Sequence, residues 1–145
     1  MQELLIKKLL EYLVVNHPDV FVLLQQEGEV TMYLEAKVQA LEEFAAVLLA
    51  AGKPVYIVEE LCMDALTREL GPSKFNYLST ILEEEFKAEY DEWQETGILI
   101  YEVINLIDVC APVFDAYGFN EASEDAKFLR YAIIGIIREY VTDNQ

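Results

Sequence analysis

The sequence has few of the residues from which catalytic centres are usually built. It contains one histidine, His17, and two cysteines, Cys62 and Cys110, among 145 residues. A single imidazole nearly excludes a Ser-His-Asp or Cys-His arrangement, and these ligands are too few and too distant for a zinc site. A glycine-rich phosphate loop is also missing from the sequence. We therefore predict no catalytic, cofactor-binding or metal-binding residue, and no cofactor.

Positive charge is scarce as well. Ten lysines and arginines stand against 27 acidic residues, which gives a net charge of -17. Residues 1–73 hold 12 acidic and 5 basic side chains, a net of -7, and residues 74–145 hold 15 and 5, a net of -10. The charge is therefore not confined to a tail. Such a surface repels nucleic acid and anionic lipid and suits a basic protein partner, so we predict no direct nucleic-acid binding.

Disulfides and membrane-spanning segments are not expected either. Both cysteines lie inside apolar stretches, which favours small buried hydrophobes and a reducing, cytoplasmic location. Charges interrupt the N-terminal apolar run, which is atypical of a signal peptide. The most apolar segment, residues 98–114, is shorter than the ~18 residues of a spanning helix. We therefore predict a protein without a membrane anchor.

What the sequence does contain is apolar surface with a helical period. Hydrophobic residues make up 54% of the chain, and only six glycines and four prolines interrupt it. We predict an all-α protein with one domain over residues 1–145: an orthogonal or up-down bundle of five to six helices with a nearly fully apolar central helix. The predicted helices cover about residues 5–16, 30–51, 54–70, 73–97, 98–117 and 123–140, with a short turn at 20–24. No internal repeat is visible.

Local signals mark several helix ends. Ser73 and Ser123 are expected N-caps because a serine hydroxyl accepts a hydrogen bond from the first turn. Pro112 should kink the central helix or end it early. Gly135 weakens the last helix relative to alanine, and a close helix crossing at that point would explain its use.

The only histidine belongs to the tripeptide His17-Pro18-Asp19. This tripeptide resembles the signature loop of J-domain co-chaperones. In that family it follows a basic helix, whereas only Lys7 and Lys8 are basic here. We therefore interpret it as a turn that ends the first helix, because proline disfavours a helical conformation of the residue before it.

An acidic helix face is the first candidate site. The segment 83–95 carries seven carboxylates and one lysine, opposite an apolar stripe from Phe75 to Trp93. Five of its acidic residues are predicted to bind a basic partner: Glu83, Glu84, Asp91, Glu92 and Glu95. The alternative interpretation is a solvated face that only aids solubility.

A polar strip on the predicted central helix is the second candidate. Glu102, Asn105 and Asp108 follow three-residue steps and share one face. They form either a narrow solvent-facing edge or a buried strip that meets Arg130 or Arg138 of the last helix, or a basic group of a partner.

The chain resembles an uncharacterised family of short helical proteins from anaerobes of the Bacteroides type, annotated only as a domain of unknown function and often found on conjugative elements. The matching pieces are Leu9 to Leu13 before His17-Pro18, Glu59-Glu60-Leu61 with Ala65-Leu66, Ser73-Lys74-Phe75 with Leu78, Glu85-Phe86, Val113-Phe114 with Tyr117, and Ser123-Glu124. Where the family usually has Gly-Leu-aromatic-Phe-Ser-Lys, residues 70–75 read Leu-Gly-Pro-Ser-Lys-Phe. The resemblance implies an all-helical fold and no activity.

Our leading hypothesis is a non-enzymatic accessory or interaction protein with an acidic surface. Eight of the nine tyrosines lie at or beside apolar stripes, which also favours a homodimer. A DNA mimic of the anti-restriction type is the alternative, because it needs a dense negative surface. An unrecognised enzyme that uses paired carboxylates is the third hypothesis.

Overall fold

The computed structural model describes residues 1–123 and 125–143. Over this part of the chain every regular element is an α-helix, so the predicted all-α class is confirmed. The chain divides into two compact units, residues 1–71 and 72–145. The single domain over residues 1–145 is not tested by this division and stays a prediction.

The first unit contains five helices. They are α1 (Gln2–Asn16), α2 (Pro18–Glu27), α3 (Val30–Gln39), α4 (Glu42–Ala50) and α5 (Val55–Leu70). Helix α1 packs against α2, α3 and α5, and α4 packs against α5. Their facing apolar side chains form one buried core, made of Leu5, Leu9, Leu13, Leu34, Val38, Ala45, Val58, Cys62 and Leu66.

The second unit contains four helices in the described residues. They are α6 (Lys74–Glu85), α7 (Lys87–Thr96), α8 (Leu99–Tyr117) and α9 (Lys127–Asp143). Helix α8 packs against the other three, as expected of a mostly apolar helix. The core of this unit consists of Leu78, Ile81, Leu82, Val103, Leu106, Ile107, Cys110, Phe114, Leu129, Ile133, Ile137 and Val141.

Nine helices in the described residues replace the predicted five to six, and the predicted bundle arrangement is not matched in detail. The predicted helix over residues 30–51 breaks at Ala40 and Leu41, and the one over 73–97 breaks at Phe86. No glycine or proline marks either break. Packing accounts for them, since α3 lies against α1 and α2 whereas α4 lies against α5, and α7 folds back onto both α6 and α8.

Two further predictions concern helix ends, and the predicted Ser123 cap of the last helix is wrong. Helix α8 continues through Pro112 to Tyr117, so Pro112 does not end it early, and the predicted span of residues 98–117 is confirmed to within one residue. Pro112 is exposed, so water can reach the carbonyl of Asp108 that the ring leaves without a donor. Helix α9 begins at Lys127 rather than after Ser123, whose hydroxyl instead donates to the Gly118 carbonyl at 3.0 Å. Glu124 lies outside the described residues.

The Ser73 cap, in contrast, is confirmed. Its Oγ accepts a hydrogen bond from the Asn76 amide at 2.9 Å, which satisfies one of the free donors of the first turn of α6. Gly71 precedes it with a positive φ of 73° and ends α5. The boundary between the two units is thus determined by Gly71 and Ser73 themselves.

The two units repeat the same series of junctions. His17 joins α1 to α2 at φ -134° and ψ 55°, and Phe86 joins α6 to α7 at φ -134° and ψ 51°. The following helices, α2 and α7, each have ten residues and end at a left-handed glycine, Gly28 or Gly97. Both pairs are 69 positions apart, since 86 - 17 and 97 - 28 both equal 69. The chain therefore contains a structural repeat that the sequence alone did not reveal.

Candidate functional site

The predicted acidic surface spans a helix junction. Glu83 and Glu84 lie in the last turn of α6, whereas Asp91, Glu92 and Glu95 lie on α7, and all five are exposed. Helix α7 has no buried residue. It is held to the core of its unit by partly buried aromatic rings on its inner side. Helix α7 is therefore an outer helix that presents its carboxylates to solvent.

One end of the acidic surface is already neutralised by α9. The guanidinium of Arg130 donates to Glu84 at 2.8 Å and to Glu85 at 3.2 Å. Sequence reasoning missed this contact because the partners lie 46 and 45 positions apart. Exposed ion pairs contribute only about 0–1 kcal/mol, so the main effect is on local charge. Glu84 is consequently a weaker candidate for partner binding than it seemed from sequence.

A second cation neutralises the start of α7. Lys87 Nζ lies 3.0 Å from Asp91 Oδ1, one turn further along the helix. The hydrogen bond to Asp91 raises the pKa of the Lys87 ammonium. The spacing of these two residues, four positions, is the sequence signal from which this pair could have been predicted. Asp91 therefore also has an intramolecular partner.

Two exposed carboxylates without an ion-pair partner lie together at the C-terminal end of α7, whereas Glu83, which also has no ion pair among the described residues, lies near enough to Lys87 to raise its pKa. Within residues 1–123 and 125–143, no ion pair involves Glu92 or Glu95. Both side chains are exposed, and Gly97 ends the helix just beyond them. The carbonyl groups of the last helical turn carry partial negative charge, which adds to that of the two carboxylates. We call Glu92 and Glu95 the α7 terminal acids.

The three residues of the polar strip on α8 do not share one environment. Glu102 and Asn105 are half-buried, whereas Asp108 is exposed. The Tyr140 hydroxyl of α9 donates to Glu102 Oε2 at 2.6 Å. Arg130, one of the two arginines expected to meet this strip, instead contacts the end of α6. Glu102 therefore helps to join α8 to α9, and Asp108 alone resembles the predicted solvent-facing edge.

Tyr140 keeps its proton in this arrangement. Burial and the hydrogen bond to Glu102 raise the pKa of Tyr140 to about 12, although a hydrogen bond with Asn105 acts in the opposite direction. A phenol with this pKa remains a donor throughout the physiological range. The contact is thus a stable structural bond and supplies no acid or base near neutral pH.

His17 is buried at the junction of α1 and α2. Its side chain is 5% exposed, its ring centroid lies 5.7 Å from that of Tyr12, and Nε2 has no hydrogen-bond partner in the described structure. Burial lowers the pKa of His17, and the nearby Asp19 partly opposes this shift. The imidazole is therefore a neutral structural group. It is not presented to a partner, as the co-chaperone interpretation would require.

The described residues offer little support for metal or acid-base chemistry. No three of their histidine, cysteine, aspartate and glutamate side chains are grouped so that they could hold a metal ion. Cys62 and Cys110 are buried and unbonded, as predicted, and burial raises the pKa of Cys110 to about 12.

A mostly apolar pocket of about 270 Å³ lies in the first unit. Its walls come from the start of α1, the end of α3 and α4: Met1, Gln2, Leu5, Val38, Leu41, Glu42, Ala45, Ala46 and Leu49. Glu42 is the only acidic side chain among them, so this cavity does not bring two carboxylates together for acid-base catalysis.

Comparison with known proteins places the chain in a family. It belongs to the family described as a domain of unknown function (DUF1896), whose model matches residues 5–145. This match confirms the predicted resemblance to an uncharacterised family. Neither the curated proteins nor the solved structures include a match to the chain. No helix among the described residues is both long and apolar enough to cross a bilayer.

Proposed function

We propose that this chain is a non-enzymatic interaction protein that binds a basic protein partner through the α7 terminal acids. The observation that carries this proposal is the unequal neutralisation of the acidic surface. Glu84 and Asp91 have intramolecular cations, whereas Glu92 and Glu95 have none within the described residues. A lysine- or arginine-rich segment would supply the missing positive charge.

The chemistry of this surface favours a protein over other partners. Its carboxylates accept hydrogen bonds from guanidinium and ammonium groups, which are stronger than bonds between neutral groups. Nucleic acid and anionic lipid would be repelled by a chain of net charge -17. We expect association to be steered by this charge and to weaken as ionic strength rises.

A defined cationic probe tests the location of the site. A fluorescein-labelled peptide of about twenty lysines is titrated with the wild-type chain and with Glu92→Lys/Glu95→Lys, and binding is followed by anisotropy. The matched control is Glu27→Lys/Glu29→Lys, because these two exposed carboxylates of the first unit give the same change in net charge. We expect the α7 variant to lose about tenfold in affinity, or about 1.4 kcal/mol, and the control less than about threefold.

Equal losses in the two variants would contradict the proposal. They would mean that the probe senses only net charge and that the acidic surface serves solubility. Circular dichroism of both variants verifies that the helices persist. Since all four positions are exposed, neither variant removes a core contact.

The structure gives the two alternatives less support. A DNA mimic needs rows of carboxylates that follow the phosphate spacing, and Arg130 and Lys87 interrupt the negative surface of the second unit. Failure of the chain to compete with duplex DNA for a DNA-binding protein would exclude this role. A carboxylate-based enzyme would need a site other than the cavity that contains Glu42.

Finally, we propose that the protein acts in the cytoplasm of a Bacteroides-type anaerobe and that its gene lies on a conjugative element. The support for this is the resemblance described from sequence, together with two free cysteines that suit a reducing compartment. The genes beside it test the second part. Transfer or mobilisation genes as neighbours would support it, and a purely chromosomal housekeeping context would contradict it.

A further inference from the structure

Gly135 is an unusual glycine in this chain. The other five glycines have positive φ values, which favour glycine, whereas Gly135 lies inside α9 with a helical backbone. A Cβ atom at this position would meet no atom within 4 Å, so no close crossing occurs there within the described structure. The predicted crossing is therefore wrong for the single chain, and nothing in its fold requires glycine at position 135.

The residues around Gly135 form an exposed face of α9. Phe128 is 74% exposed and Tyr131 is 63% exposed, and they lie two turns and one turn before the glycine. Arg138, which is also exposed, lies one turn after it. We call Phe128, Tyr131, Gly135 and Arg138 the α9 face. Two large rings beside a gap the size of a side chain form a surface into which another helix could fit.

Charge indicates which partner this face could accept. Helix α9 contains Lys127, Arg130 and Arg138 against Glu139 and Asp143, a net charge of +1. It is the only helix among those described with a net positive charge. Two copies of a chain with a net charge of -17 repel each other. Although Arg130 is already paired with Glu84 and Glu85, the remaining charges of α9 cancel, so this repulsion is smaller where each copy presents α9 than where it presents the acidic helices α5, α7 or α8.

We propose that two copies of this chain associate through the α9 face, with their α9 helices antiparallel and crossing at Gly135. In such a pair a residue n positions before Gly135 lies opposite one about n positions after it. Tyr131, four positions before, then faces Arg138, three positions after, in the other copy. At about 100° per residue, Tyr131 and Arg138 both lie on the same side of Gly135 around the helix, so the two-fold axis brings Tyr131 of one copy next to Arg138 of the other.

The pattern is thus self-complementary, as a two-fold interface must be. Each Tyr131 ring receives the Arg138 guanidinium of the other copy, which gives two cation–π contacts related by symmetry. Phe128, seven positions before Gly135, packs over Thr142 of the other copy, seven positions after it. Glycine at the centre lets the two backbones approach, which explains a residue that the single chain does not need.

The association should be weak and should respond to salt. A single helix crossing buries less than the ~800 Å² per partner of a standard interface, so we expect Kd on the order of 10–100 µM. Salt screens the repulsion between the two acidic chains, so Kd should fall as ionic strength rises. This inference does not depend on the binding of a basic partner through α7.

Sedimentation equilibrium of the full chain from about 10 µM to about 1 mM tests the proposal. Gly135→Leu fills the gap and should raise Kd at least about tenfold. Gly135→Ala should raise Tm in dilute solution, because alanine is the better helix former, and should still weaken the dimer. If Gly135 had no role in the dimer, Gly135→Ala would raise Tm without weakening the dimer.

Two matched comparisons locate the contact. Tyr131→Ala should weaken the dimer, whereas Tyr56→Ala, at a 69% exposed tyrosine of the first unit, should not. Gly135→Cys should form a disulfide-linked dimer on mild oxidation, and Tyr56→Cys should not, since both native cysteines are buried. A chain that stays monomeric at about 1 mM, or a dimer that Gly135→Leu leaves unchanged, would overturn the proposal.

Discussion

Replacement of His17 by phenylalanine should remove a pH-dependent weakness of the first unit. The second unit already places Phe86 at the equivalent junction, with dihedral angles that differ by only a few degrees. Phenylalanine is therefore compatible with this backbone. It also lacks the buried Nε2 atom, for which the described residues offer no hydrogen-bond partner.

The sign and size of the effect follow from linkage. His17 has an ordinary pKa of 6.5 when unfolded, and burial lowers its pKa in the folded chain. The unfolded state thus binds more protons, and stability is lost as pH falls through 6.5. If the folded imidazole stays neutral, acidification from about pH 7.5 to about pH 5.5 costs at most about 1.4 kcal/mol.

Urea unfolding followed by circular dichroism measures this loss. The wild type and His17→Phe are compared at about pH 5.5, 6.5 and 7.5, and the difference between them isolates His17 from the 27 carboxylates common to both. We expect the advantage of the variant to grow towards pH 5.5 by up to about 1.4 kcal/mol. His17→Leu, which is smaller, shows whether the larger ring is strained.

A constant difference between the two proteins across this pH range would refute the reasoning. It would mean that His17 gains its proton as easily in the folded chain as in the unfolded one. The junction would then have to be open to water, contrary to the 5% exposure of the imidazole. A wild type that becomes more stable on acidification relative to both variants would reverse the sign and exclude a neutral buried histidine.

Three further predictions concern single side chains. Tyr140→Phe removes the donor to half-buried Glu102 and should lower the free energy of unfolding by about 1 kcal/mol in urea titrations. Pro112→Ala restores the missing amide of α8 and should raise the free energy of unfolding by about 1–3 kcal/mol. An unchanged or lower free energy of unfolding would show that α8 is bent to suit proline. Cys62 and Cys110 should not react with a chromogenic disulfide reagent until urea unfolds the chain, since both are buried; rapid labelling without denaturant would contradict their burial.

Several helix ends could be predicted because each is determined by one residue and its neighbours in the sequence. Gly28, Gly97 and Gly118 end helices in the left-handed conformation, which is open to glycine at low cost. Ser73 caps α6 because its own side chain reaches the first turn. Each of these effects depends on one residue and its immediate neighbours, so the sequence alone is sufficient to locate them.

The helix breaks could not be predicted in the same way. Phe86 adopts φ -134° and ψ 51° without glycine or proline, and it belongs to the same apolar stripe as Leu82 and Tyr90. The hydrophobic period therefore continues across the junction and suggests one helix. The bend at Phe86 lets α7 pack against both α6 and α8, and this packing of three helices is not visible in the hydrophobic period of a single segment.

In the candidate site, too, local features could be predicted from sequence and contacts between distant residues could not. The exposure of Glu92 and Glu95 follows from their position opposite the apolar stripe, which is a local property. The neutralisation of Glu84 depends on Arg130, which the fold brings from 46 positions away. Sequence therefore indicated where the carboxylates point, but only the fold shows which of them are still available to a partner.

The structural repeat shows what this fold constrains. The two units share a junction conformation at His17 and Phe86 and a left-handed glycine after ten helical residues, although the junction side chains differ in polarity. Backbone geometry is therefore held by the packing of the following helix, and the side chain at the junction is free to vary within the space available. The same junction conformation accommodates an imidazole in the first unit and a phenyl ring in the second. Only the imidazole carries a dependence on pH, which is why a repeat invisible in the sequence leads to a measurable difference between the two halves of the chain.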